Sequence, residues 1–158
     1  LPLDAHGTFG NSRLLAGSLG LEITAGFARY QNIDCGVRGE ADLDTRDLFA
    51  RVGDWATPHG HHAVASAIPD GHRTRRWAIC SGAGAQVETL REAYAAGIDT
   101  LIVGEGPHWT AVDAPERGLV ILYAGHYATE TLGVRALTSH LAEQYGLPWS
   151  FVDAPTGL

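Results

Sequence analysis

Leu119-Val-Ile-Leu-Tyr-Ala-Gly-His-Tyr-Ala-Thr-Glu-Thr-Leu-Gly-Val-Arg-Ala-Leu137 is the stretch that decides the fold. Its first five residues are apolar throughout, the pattern of a parallel strand covered on both faces. Beyond Gly125 the period changes. Val134, Leu137, Leu141 and Tyr145 recur at a 3–4 spacing, which predicts an amphipathic helix over 129–145.

The same alternation runs through the second half of the chain. Trp77-Ala-Ile-Cys-Ser81 reads as the end of a strand over 76–81, followed by Gly82-Ala-Gly84 and a helix over 86–96 stopped by Gly97. Thr100-Leu-Ile-Val103 is a second buried-type strand, a short helix is expected near 108–116, and 149–152 reads as the last strand. In the first half, Asn11 is placed to cap a helix over 12–19 that Gly20 closes. Residues 21–39 are mixed, with Ile23, Phe27, Tyr30 and Val37 suggesting short strands and loops. A capped amphipathic helix over 44–52 ends at Gly53, 63–68 is a strand, and Pro69-Asp-Gly-His72 is a turn leading into 76–81. Strands alternating with helices at this rhythm give an α/β fold: layered, with helices on both sides of a mixed, largely parallel sheet.

The 158 residues suit one compact unit, and 45% hydrophobic with 18% charged residues is an ordinary globular composition. A chain of this length buries roughly two-thirds of its unfolded surface, so it needs no disulfide to fold. A formal charge of −7 argues against a general nucleic-acid or membrane-surface role, both of which call for a basic patch. Arg73, Arg75 and Arg76 read as a solvated hairpin edge instead. No apolar run approaches the length of a membrane span and no signal sequence is evident. Cys35 and Cys80 are far apart and in no zinc-ligand spacing, and Cys80 sits in an apolar run, so a reducing cytoplasm fits them.

His126 and Glu130 carry the chemistry. An imidazole and a carboxylate four residues apart, where a strand gives way to a helix, are side chains that a Zn²⁺- or Mn²⁺-like ion accepts. If the helix already includes residue 126, the two stack on one face. If it starts a turn later, both still crowd its N-terminus, at the carboxyl end of a strand, where open α/β sheets keep their ligands. The plain alternative is a capping Glu beside a surface His. Asp4, at what reads as a strand end before a glycine-rich turn, is a third candidate ligand or else a turn-forming Asp. Glu105 and His108 follow the strand over 100–103 and can line the same cleft as catalytic proton carriers or as partners of the ligands. Glu105 serves equally as a helix-start carboxylate favoured by the helix dipole.

Leu1-Pro-Leu-Asp-Ala-His-Gly-Thr-Phe-Gly-Asn11, Ala124-Gly-His-Tyr-Ala-Thr-Glu130 and the ending Gly146-Leu-Pro-Trp-Ser-Phe-Val-Asp-Ala-Pro-Thr-Gly-Leu158 together resemble the Nif-three-like dinuclear metal-centre family, whose members bear the designation type 2 GTP cyclohydrolase 1. The resemblance runs the whole length and is weaker from about 23 to 75. It implies a single unit over 1–158, with a more variable central segment, 21–75, and a βαβ-rich C-terminal lobe, 76–158. It also implies intertwined lobes, a ring-shaped homo-hexamer, and metal-ligand roles for Asp4, His126 and Glu130; His6, two residues after Asp4, is a candidate partner just outside those ligands. Two divalent ions (Zn, Mn or Fe) would then activate a water against GTP or another nucleotide or phosphate substrate, although nothing in the chain selects guanine. The family's upstream His-His-Gly motif has no counterpart here. Pro58-His-Gly-His-His-Ala63 lies in the weakly resembling segment and reads as a solvated loop. Leu1 is not an initiator and the chain has no Met, which reads as the C-terminal portion of a longer protein, or alternatively as a processed chain.

Two function classes remain open. One is a metal-dependent hydrolase. The other is a non-catalytic metal-binding regulator or oligomeric scaffold. Gly82-Ala-Gly84 invokes a dinucleotide fingerprint, but Val87 stands where the third glycine belongs, so tight strand-to-helix turning is the simpler reading. His72 and His140 read as turn and helix-surface residues.

Overall fold

The structure, a computed structural model, describes residues 2–156. Among these residues the strands are β1 (Ile23–Tyr30), β2 (Ile33–Asp44), β3 (Val64–Ala65), β4 (Arg73–Cys80), β5 (Thr100–Val103) and β6 (Val120–Tyr123). The helices are α1 (Asn11–Ser18), α2 (Thr45–Ala56), α3 (Val87–Ala95), α4 (Thr110–Glu116) and α5 (His126–Tyr145). The strands form one sheet in the order β1-β2-β4-β5-β6-β3. β4, β5 and β6 run parallel, with Ile79 opposite Ile102 and Ile102 opposite Leu122, while β1, β2 and β3 join antiparallel. The two segments that read as buried parallel strands, 100–103 and 119–123, are therefore neighbours.

The period of two along these strands divides the core. Trp77, Ile79, Ile102, Val120 and Leu122 face one side, where Leu15 of α1 and Leu48 and Val52 of α2 meet them. Ala78, Leu101, Val103 and Ile121 face the other, against Leu90 and Ala93 of α3 and Ala114 of α4. Helices cover both faces, as the continuous apolar strands require.

Where the elements differ from the sequence reading, local physics gives the reason. Residues 21–39 are not short strands and loops but most of a long hairpin whose strands contain bulges, at Ile23/Ala25 in β1 and at Glu40/Leu43 in β2. A bulge inserts an extra residue and breaks the alternation on which strand recognition depends. The expected strand over 63–68 contracts to Val64–Ala65, after which Ser66 takes over the edge: its N–H donates to Ile121 O at 2.9 Å and its Oγ accepts from Ile121 N at 2.9 Å. α2 runs through Gly53 to Ala56, held at its start by the Asp44 carboxylate accepting from Arg46 N at 2.8 Å. Residues 149–152 form no strand. They belong to an irregular tail held against α5 by side chains: the Arg135 guanidinium lies 3.8 Å from the Phe151 ring centre, and the Tyr127 hydroxyl donates to Asp153 Oδ1 at 2.6 Å.

The longest helix departs most. α5 begins at His126, not Thr129, and its apolar stripe points outward, with Val134, Leu141 and Tyr145 exposed by 44%, 40% and 64%. The buried residues of α5 are small, Ala128, Thr129, Thr131 and Gly133, with Leu132 partly buried against the core beside them. At Gly133 an added Cβ would press against Phe9 O at 2.8 Å and Asn11 Oδ1 at 2.9 Å, so α1 and α5 meet at close range there.

Candidate metal centre

The parallel strands end in three glycine-bearing turns that lock together. Glu105 N donates to Gly82 O at 2.8 Å, and Gly125 N donates to Gly104 O at 2.9 Å. Gly82 N donates to Thr129 Oγ1 at 2.9 Å, which ties the turn after β4 to the first turn of α5. Gly82 has φ +63°, and a Cβ there would run into the Glu130 carboxylate. The tight turning read from Gly82-Ala-Gly84 is thus what lets the backbone approach the site. Because α5 starts at His126, the four-residue spacing places His126 and Glu130 on one helical face.

His126 is held on both sides. Its Nδ1–H donates to Glu105 Oε1 at 2.8 Å, and its Nε2 stands 3.3 Å from Glu130 Oε2. Burial by itself lowers the His126 pKa, but the bond to Glu105 and the negative charge of both carboxylates outweigh it, and the net shift is upward. The cause is structural. With Nδ1 protonated by its bond to Glu105, a neutral ring aims the Nε2 lone pair at a carboxylate oxygen, so a positive charge is called for between them, either a second proton or a metal ion.

Asp4 lies not at a strand end but within turns spanning residues 2–9, of which His6 N→Leu3 O at 3.0 Å is one closing bond. Its Oδ1 accepts from Asn11 Nδ2 at 2.7 Å. Asp4, His126 and Glu130 all line one cavity of about 680 Å³, with Arg29 and Tyr30 from the hairpin and Gln86 beside α3 also on its wall. Residues more than a hundred positions apart therefore share a pocket. Among the described residues, however, no three His, Cys, Asp or Glu side chains stand close enough to enclose an ion.

The donors fit a divalent metal to that extent. Two ligands about 2.1 Å from a common ion at a tetrahedral angle stand roughly 3.4 Å apart, and Nε2 and Oε2 are 3.3 Å apart. A carboxylate on the far nitrogen, here Glu105, is the usual way a ligating histidine is oriented and made more basic.

The other sequence candidates divide. Glu105 joins the site through His126. His108 is exposed in the turn before α4 and is not on the cavity wall. His6 is exposed and closes its own turn, its Nδ1 accepting from Thr8 N at 3.0 Å and Phe9 N at 3.1 Å. The 59–62 tract is more ordered than a solvated loop: His59 stacks on Trp55 at 4.6 Å, and the half-buried His61 packs its ring against Gly125, beside the site. Asn11 is the residue that sequence reasoning misplaced. It is the first residue of α1, not its cap, and its side chain accepts from Gly133 N at 2.6 Å while donating to Asp4. Its place behind Gly10, seven residues after Asp4, was the signal available.

A GTP cyclohydrolase 1 type 2 homolog from Deinococcus radiodurans is 37% identical over 164 residues, covering 100% of this chain and 59% of that protein. One from Halobacterium salinarum is 36% identical over 159 residues, covering 100% of this chain and 62% of the relative. The solved structure of protein ybgI, of unknown function, superposes with a TM-score of 0.83 at 29% identity, covering 99% of this chain and 60% of that one. The chain thus spans about 60% of the length of these relatives. The family model for Duf34/NIF3 (NGG1p interacting factor 3) matches residues 1–156, and the chain therefore belongs to the Duf34/NIF3 family.

Proposed function

We propose that this chain is a metal-binding protein of hydrolase type that holds divalent ions (two in the complete site) on the cavity wall formed by Asp4, His126 and Glu130. The observation that carries the reading is the facing pair His126 Nε2 and Glu130 Oε2, 3.3 Å apart, with Glu105 fixed on the other ring nitrogen. A divalent ion bound there supplies Lewis acidity and the charge that makes a water nucleophilic near neutral pH. The chain's own groups do the rest. Glu105 keeps the His126 proton on Nδ1 and so presents Nε2 as a donor. Glu130 and Asp4 contribute anionic oxygen. Arg29, on the same wall and paired with Asp34 at 2.9 Å, is the cation there that an anionic substrate would have to share. A nucleotide or other phosphate ester suits that wall, and about 680 Å³ lies within the usual span of small-molecule pockets. The relatives' name, GTP cyclohydrolase 1 type 2 homolog, favours GTP.

A second reading is a metal-binding regulator or scaffold without catalysis. The lack of a three-donor cluster among the described residues favours it, since an ion held by two side chains exchanges readily. In either case we assign self-association, as a homo-hexameric ring, to the exposed stripe of α5, and a cytoplasmic setting to a chain whose two cysteines are buried and free. Among the described residues no helix is long and apolar enough to cross a membrane.

The test is incubation of the Zn²⁺- or Mn²⁺-loaded protein with GTP, with products followed by chromatography, beside His126→Ala under identical loading. Ring-opened product or released phosphate from the parent and none from the variant supports the hydrolase. Equal turnover by both contradicts it, and metal binding without turnover selects the second reading.

A further inference from the structure

Asn11 is only 5% exposed and spans two elements through a single carboxamide. Its Nδ2 donates to Asp4 Oδ1 at 2.7 Å, and its Oδ1 accepts from Gly133 N at 2.6 Å. The partners dictate the amide's orientation, because a carboxylate takes only the NH₂ end and an N–H takes only the oxygen. Gly133 lies on the turn of α5 that follows Glu130, and the close approach there leaves no room for a side chain. One buried side chain therefore connects the Asp4 carboxylate to the helix bearing His126 and Glu130, across 122 residues of sequence.

We infer that Asn11 is a positioning residue for the metal site, fixing the Asp4 carboxylate relative to His126 and Glu130. The inference rests on the metal reading above. The chemistry allows few substitutes. Aspartate would set two carboxylates against each other, and alanine would remove both the side-chain acceptor of the buried Gly133 N–H and the amide that orients Asp4 Oδ1. Helix α1 contributes no ligand itself, and in this reading its place beneath the site is to carry that carboxamide.

The experiment measures Zn²⁺ affinity at 25 °C by competition with a chromophoric chelator, together with far-UV circular dichroism and thermal unfolding. It uses the parent, His126→Ala, Asp4→Ala, Asn11→Ala and the double variant Asp4→Ala/Asn11→Ala. Asn11→Ala is expected to bind Zn²⁺ at least tenfold more weakly while its spectrum stays native, the size of loss typical of groups that orient ligands. The double variant is expected to bind no more weakly than Asp4→Ala, because Asn11 acts through Asp4. A purely structural Asn11 would lower the melting temperature and leave Zn²⁺ affinity within twofold of the parent, and that result overturns the inference. Additive losses in the double variant overturn it as well. Should Asn11→Ala fail to fold, Asn11→Ser, which keeps a hydroxyl at that position, carries the same comparison. A parent that binds no Zn²⁺ removes the metal reading and this inference together. A parent that binds, with His126→Ala impaired and Asn11→Ala not, removes this inference alone.

Discussion

Gly82 has no room for a side chain. Its φ of +63° is strained for any L-residue, and a Cβ there would meet the Glu130 carboxylate. Gly82→Ala should lower unfolding free energy by about 1–3 kcal/mol and weaken metal uptake together, measured by urea titration and metal analysis; retention of both would mean that the turn tolerates displacement. Cys80 makes a separate test of the site's dryness. Burial, reinforced by Cys35 and the Asp4 charge nearby, pushes its thiol up to about 12. A thiol so far from its thiolate is a poor nucleophile at neutral pH. We expect Cys80 to stay unmodified by a water-soluble disulfide reagent for as long as the protein is folded and to react at once in urea. Rapid labelling of the native chain would show that the cavity opens to its floor. His126 and Glu130 were legible in the sequence because a helix converts a four-residue spacing directly into proximity. Asn11 was not, because its partners lie in a turn behind it and on a helix 122 residues away.

Among the elements, α4 is fastened to α3 by the Tyr94 hydroxyl donating to Asp113 Oδ2 at 2.7 Å. That bond, with Arg117 beside it, holds the Asp113 carboxyl below its ordinary value of 3.8. A depressed folded-state pKa contributes stability above the unfolded value, and the contribution is lost as pH falls through the lower folded value. Asp113→Asn should therefore be less stable than the parent at pH 7, and the gap should close on acidification below the ordinary carboxylate range. A gap that persists at pH 2 would assign the effect to packing. At the opposite end of the parallel strands from the cavity, Thr45, Thr74 and Thr100 form a buried hydroxyl chain at 2.9 and 2.8 Å. Thr74→Val breaks both bonds while the Thr45 hydroxyl keeps His72 and the Thr100 hydroxyl keeps Asp99, so we expect a loss of about 0.5–1.5 kcal/mol in urea-induced unfolding. β5 and β6 were readable because short runs dominated by Leu, Ile and Val and buried almost throughout leave little choice. β1 and β2 hid behind their bulges. The apolar run at 149–152 did not become a strand because its order comes from Arg135 and Tyr127 on α5, contacts that no local pattern encodes.

For the molecule as a whole, the exposed apolar stripe of α5 is the largest departure from the sequence expectation. Val134, Leu141 and Tyr145 have the spacing of a core-facing helix but face outward, because the buried positions of α5 are taken by small residues that admit α1. Periodicity shows that a face is apolar but not what covers it. If that face mediates self-association, Leu141→Glu/Tyr145→Glu should shift the sedimentation of the parent toward a smaller species with its circular dichroism unchanged, and an unchanged sedimentation profile would place the contact elsewhere. The central claim concerns the cavity into which Asp4, His126 and Glu130 converge from the two ends of the chain. Its most direct test is the bound Zn²⁺ of the parent, His126→Ala and Glu130→Ala after equilibrium dialysis against one buffered free-metal concentration. We expect the parent to retain metal, loosely held, and each variant to lose at least nine-tenths of it, in line with a tenfold or greater fall in affinity, while melting temperatures stay close to the parent's. Metal content unchanged in both variants would contradict the assignment and place any ion elsewhere in the molecule.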